Sequence, residues 1–103
     1  MDTSAADPTP GVDDEDAVDE SADDALEHEY DIALGDVIRT ERVIRKLSRL
    51  ALASQVGMNA KTLQRIEGAE KPATMKQLYR IARAFGVTPG ALTSAADQKV
   101  GIE

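Results

Sequence analysis

The sequence predicts an all-α protein: a compact five-helix bundle behind an acidic, disordered N-terminal arm. Three observations carry this. Between about Ile32 and Ala96 the apolar residues recur at three- and four-residue steps, the period of a helix with one buried face. The breaks between these stretches hold helix-stop glycines and helix-start Ser, Asn or Thr residues. No stretch shows the alternation of a half-buried strand, and no internal repeat is present.

The arm comes first. Residues 1–31 hold thirteen Asp and Glu and no Lys or Arg. Residues 1–24 contain two prolines, a glycine and almost no large apolar side chain, too little to offset the entropy of ordering. Leu26, Tyr30 and Ala33 fall at helical spacing, so a nascent helix beginning after Ser21 is expected, with Gly35 weakening it. The remaining 72 residues reverse the charge balance. They carry six acids and all twelve bases, a net +6, although the whole chain stands at −7. An acidic arm on a basic body points to a charged partner.

The first helix is expected from about Ile32 to Lys46, with Leu34, Val37, Ile38 and Ile44 inward. Glu41 falls within that stripe, and Arg45 at i+4 is its nearest partner. Ser48 is placed to cap a second helix with Leu52, Ala53 and Val56 inward, closed by Gly57. Asn59 caps a third helix, about Ala60 to Glu67, which Gly68 stops. Thr74 caps a fourth, about Met75 to Phe85, with Leu78, Ile81, Ala82 and Phe85 inward and Gly86 at its end. Arg80 and Arg83 fall on its outer side and read first as solvated, with a phosphate or dimer role as the alternative. Thr88, followed by Pro89, starts a short fifth helix carrying Leu92. The polar end is expected to fray, with Val100 and Ile102 as candidate contacts. The resulting division is an acidic arm over 1–31, a helical domain over 32–96 and a flexible tail over 97–103.

Composition removes several functions. Without cysteine there is no disulfide, thiol nucleophile or Cys-based metal site, and His28 stands alone among acids. The basic body has no histidine and no phosphate-cradling glycine loop, so no catalytic role and no cofactor is expected. No apolar run approaches the ~20 residues of a membrane helix, and no basic start followed by an apolar run marks a secretory signal. A cytosolic location, on the nucleoid or in a host cell if phage-encoded, is the expectation.

The two short helices around Gly57 have the form of a helix-turn-helix. At about 100° per residue, Ala60, Lys61, Gln64 and Arg65 share one outward arc of the third helix that contains no acid. Lys and Arg donate to guanine O6 and N7, Gln pairs with adenine, and the methyl of Ala60 can touch that of thymine. Eight residues make a rod of about 12 Å, comparable to the major-groove width. Asn59, at the helix start, is placed for a phosphate or a base edge. Double-stranded DNA is therefore the expected partner.

The segment "LSRLALASQVGMNAKTLQRIEGAEKP" resembles the Cro and lambda-repressor (Xre) family of helix-turn-helix domains. The landmarks are Leu47-Ser48, Leu52-Ala53, Gly57, Ile66-Glu67, Gly68 and Pro72, and "LYRIARAFGVTPGAL" resembles the family's last two helices. The resemblance implies a five-helix domain that binds DNA as a homodimer on a near-palindromic operator. It implies base contacts by Ala60, Lys61 and Arg65, phosphate contact by Arg49, and a supporting pair between Arg42 and Glu67; Ser48 and Asn59, at the starts of the second and third helices, are the other candidates for phosphate contact or positioning. Leu50 departs from the family's polar residue at that position, and Glu41 from its apolar one.

The leading expectation is a sequence-specific transcriptional regulator, a repressor in the first instance. The alternatives are an antitoxin whose acidic arm neutralises a toxin, and a protein-interaction module, carried by Leu50 and the arm, that has lost DNA binding. The arm itself has three readings: a solubilising segment, an intramolecular cover for the basic face, or a dock for a protein partner.

Overall fold

The computed structural model describes the backbone over residues 9–101 and side chains over 24–101. Five helices follow one another: α1 (Thr9–Ile44), α2 (Arg49–Val56), α3 (Ala60–Glu67), α4 (Met75–Phe85) and α5 (Pro89–Lys99). Among the described residues there is no strand. The disorder expected over 1–24 falls almost wholly outside the residues with described side chains. The sequence places the first helix from about Ile32, but α1 begins well before it and crosses the expected junction at 31–32.

Every predicted N-cap is made. Ser48, Asn59, Thr74 and Thr88 each accept a bond from the backbone N–H three residues on. Each thereby satisfies one of the amides a helix start leaves unpaired. Thr74 and Gln77 form a reciprocal capping box.

The helix ends agree only in part. Gly57 (φ 71°) and Gly86 (φ 76°) take the left-handed conformation expected of them. Gly68 ends α3 where expected, but its φ is −89°, and Ala69 carries the positive φ of 60°. The bonds Ala69 N–H to Ile66 O and Glu70 N–H to Arg65 O fix Ala69 as the left-handed residue of a Schellman end. Lys46 (φ 59°) does the same after α1, with Leu47 N–H reaching Arg42 O.

The core draws on all five helices. Ile38, Leu52, Leu63 and Ile81 are its largest fully buried side chains. Val37, Val56, Ile66, Leu78, Phe85 and Leu92 are its other large members, with alanines between them. Ile44, expected inward, is 64% exposed, and Val43 beside it is exposed too. The inward line of α1 runs instead through Ala33, Val37, Ile38 and the buried Arg42. Glu41 is half-buried and paired with Arg45 as expected. Arg45 also lies 4.7 Å over the Phe85 ring and donates to the Phe85 carbonyl at the end of α4. It thus anchors α1 to α4 through a cation–π contact and a terminal carbonyl.

Gly35 does not interrupt α1. It is a point of close approach between α1 and α3. A methyl there would stand 2.6 Å from the Ile66 carbonyl oxygen and 2.7 Å from that of Glu67. Glycine is required here by close backbone approach, not by an unusual φ.

The C-terminal segment is more ordered than its polarity implied. α5 crosses the expected boundary at 96–97 and runs to Lys99, with Ala96 fully buried and Val100 packed on the core. Small alanines let α5 lie close along α1, its principal partner. Lys99 Nζ sits 2.9 Å from the Asp36 carboxylate, and Tyr30 Oη donates to Thr93 O at 3.4 Å. Ile102, a candidate contact, lies outside the described residues.

Candidate nucleic-acid interface

α2 ends at Val56, the chain turns through Gly57, Met58 and Asn59, and α3 begins at Ala60. Ala53, 1% exposed, is buried in α2, while Met58 rests against the core after the turn. Met58 N–H bonds Ala53 O at 3.0 Å, which closes the end of α2. α3 is sharply two-sided. Leu63, Ile66 and Glu67 are buried, while Lys61, Gln64 and Arg65 are exposed. Ala60 is half-buried against the core, so only part of its methyl reaches the outer face. Among the described residues neither Lys61 nor Arg65 has a salt-bridge partner.

The flanking residues are set by their capping bonds. Asn59 Oδ1 accepts from Thr62 N–H at 2.8 Å, which turns its two amide protons away from α3 and leaves them to donate. Ser48 Oγ accepts from Ala51 N–H at 3.0 Å and keeps its own proton free. Both side chains are on exposed residues.

Behind the outer face lies a buried ion cluster. Glu67, with 2% of its side chain exposed, receives Arg42 in a two-pronged bond: Nε to Oε2 at 2.7 Å and Nη2 to Oε1 at 3.1 Å. Arg42 Nη1 also donates to Leu47 O at 2.8 Å. The support pair implied by the resemblance is therefore present, and it joins α1 to the last residue of α3. Arg49 is the surprise. Its Nε donates to Glu67 Oε1 at 2.9 Å, a partner within the protein that the resemblance did not imply. Its side chain is 42% exposed. Two arginines around one carboxylate leave the start of α2 with a net positive charge.

Sequence reasoning missed two features. Gly35 behind α3 looked like a helix breaker, and only the distance to the carbonyls reveals its role. The contact of Arg80 with the turn was not foreseen either: its Nη1 lies 3.8 Å from the place a Gly57 Cβ would occupy. Among the described residues there is no group of metal-ligating side chains. No helix among them is long and apolar enough to cross a membrane.

A five-helix domain with a capped α2–turn–α3 unit and an unpaired basic strip on α3 defines a helix-turn-helix protein. The chain belongs to the helix-turn-helix domain family, whose model matches residues 33–96, more than half of its length. A search of curated proteins gives no match. Among solved structures, two of the clp gene regulator ClgR from Corynebacterium glutamicum share the fold. One is 20% identical over 68% of this chain and 74% of that chain, with a TM-score of 0.65. The other is 19% identical over 72% and 96%, with a TM-score of 0.66. A structure of FeII HppE in complex with substrate is 32% identical over 59% of this chain, with a TM-score of 0.55. There the match covers only 36% of the HppE chain.

Proposed function

We propose that the protein is a sequence-specific DNA-binding transcriptional regulator of the Cro and lambda-repressor type, acting as a repressor. It binds a near-palindromic operator as a homodimer in the cytoplasm. The observation that carries this reading is the two-sidedness of α3. One arc is fixed in the bundle by Leu63, Ile66 and the Glu67 cluster, while Lys61, Gln64 and Arg65 stand clear with donors unspent. Cations left unpaired on a rigid rod about 12 Å long suit a major groove of similar width. In this reading Lys61, Gln64 and Arg65 meet base edges, and Ala60 offers part of its methyl to thymine. Asn59 and Ser48 donate to phosphate. Arg49 keeps Nε on Glu67 and turns its terminal nitrogens to the backbone, which makes its phosphate contact one of fixed geometry. The fold shared with ClgR, itself named a gene regulator, supports the regulatory part of the reading.

Two recognition helices of a dimer would enter the groove about 34 Å apart. Selection of bound duplexes from a random pool is expected to enrich half-sites one helical turn apart. Arg65→Ala is expected to weaken binding to the selected site by about 1–3 kcal/mol and to relax one position in each half-site. A pool that enriches nothing, or an Arg65→Ala protein with wild-type affinity at every selected site, refutes the reading. The first of these outcomes favours a protein-interaction module, for which Leu50, 72% exposed on α2, is the specific support.

A further inference from the structure

We propose that the groove between α2 and α4 is a second DNA contact, a cradle for the phosphodiester backbone beside the major-groove segment that α3 enters. This rests on the reading of α3 given above and adds a contact from a helix outside the helix-turn-helix. The groove is open, about 710 Å³, and Gln55, Gly57, Lys76, Tyr79, Arg80 and Arg83 are among the residues that line it. No acid lines it.

Its three cations form a row. Lys76, Arg80 and Arg83 are spaced i, i+4 and i+7, so they stand on one side of α4, and all three are exposed. They span about 10 Å of helix, and one DNA strand carries about three phosphates over a comparable length of duplex axis. Tyr79 holds the Arg83 guanidinium at 5.8 Å from its ring centroid, which limits the wandering of an exposed arginine. Among the described residues none of the three has a salt-bridge partner.

The row is also joined to the recognition surface. The Arg80 guanidinium lies against Gly57, two residues before the Asn59 cap of α3. From Arg80 through Asn59 to Lys61 the surface therefore presents donors and no acceptor charge. The chain's own acidic segment is the rival occupant, but its described part leaves the bundle elsewhere. Tyr30 is tied to Thr93 of α5, and α1 packs chiefly on α5 and α3, not on the α2 side of α4.

The test measures the affinity of the full chain for its selected duplex from about 50 to 200 mM salt. Wild type is compared with Lys76→Gln/Arg80→Gln/Arg83→Gln and with the charge-keeping Arg80→Lys/Arg83→Lys. Removing one cation from a phosphate lowers the slope of log K against log salt by about 0.9, so the fourfold salt step weakens binding about 3.5-fold less for each cation removed. For three cations the difference is about 40-fold. The triple variant is expected to lose this salt sensitivity while enriching the same base sequence, and the lysine variant is expected to keep it. An unchanged slope in the triple variant overturns the proposal. Tighter DNA binding by that variant, greatest at low salt, overturns it in favour of the acidic segment 1–31 as occupant. In both cases the α3 reading stands if Arg65→Ala still relaxes a base position. A wild-type chain that selects no DNA overturns both.

Discussion

Replacing Arg42 by alanine is expected to cost about 3 kcal/mol of folding stability. Glu67 is all but sealed from water, and Arg42 supplies two of the three bonds to its carboxylate. Breaking a buried pair by removing one partner costs about 3–5 kcal/mol, because the remaining charge is left in a poor solvent. Two smaller effects act in opposite directions. Arg49 stays on Oε1 and keeps the carboxylate partly compensated, which lowers the cost. The bond from Arg42 to Leu47 O disappears as well, which adds about 1 kcal/mol. In a domain of this size about 3 kcal/mol lowers the melting temperature by roughly 12–24 °C. Urea denaturation of the full chain, followed by helical circular dichroism with the m-value held common, measures it. Arg49→Ala serves as the internal comparison: its half-exposed pair is worth below about 1 kcal/mol. The joint change Arg42→Met/Glu67→Leu is expected to recover most of the loss by removing both charges at once. An Arg42→Ala cost below about 1 kcal/mol, or an Arg49→Ala cost equal to it, would refute the cluster's role as the tie between α1 and α3.

Gly35→Ala is expected to destabilise by about 1–3 kcal/mol, since its methyl meets backbone oxygens that cannot move aside; a neutral result in the same denaturation assay would mean that α1 and α3 are less tightly apposed. Ala69→Gly is expected to stabilise by up to about 1 kcal/mol by relieving a left-handed conformation in a residue with a Cβ, read as a rise in denaturation midpoint. Burial, followed by the Asp97 carboxylate, raises the Tyr30 hydroxyl above its ordinary pKa of 10.0, partly opposed by the Thr93 side chain. A group whose native pKa is raised gives stability that is complete below the unfolded value and lost as pH climbs through the native one. The Tyr30-dependent loss should therefore begin only above about pH 10, and Tyr30→Phe should flatten that part of a stability–pH curve.

The bundle was legible wherever one residue decides a local question. Ser48, Asn59, Thr74 and Thr88 cap because a short polar side chain satisfies an amide three residues on, and no distant residue enters into it. The inward side chains of α2 and α4 followed from their spacing for the same reason. What was not legible depends on a second element. Ile44 and Arg42 both fit the sequence pattern of α1, and Glu67, a partner 25 residues away, decides that the arginine turns in. Gly68 and Ala69 compete for one left-handed position, and the bond from Glu70 to Arg65 O awards it to alanine. The alanine-rich end of α5 lacks large apolar residues, so its close fit along α1 leaves little trace in a hydropathy pattern. The exposure of Lys61, Gln64 and Arg65 on α3 was visible on a helical projection. The attachment of Arg49 to Glu67 was not, since nothing local shows that an arginine at a helix start is also held by a carboxylate 18 residues away.

α3 has only eight residues, fewer than a free peptide needs to stay helical in water. Its shape is lent to it by Asn59 at one end and by the Arg42–Glu67–Arg49 cluster and Gly35 at the other. Under the proposed function, recognition is therefore a property of the whole domain: a fragment cut from the turn onward carries the proposed contact residues but no rod to hold them. Whatever melts the bundle abolishes reading in the same step, and the two losses should share one midpoint.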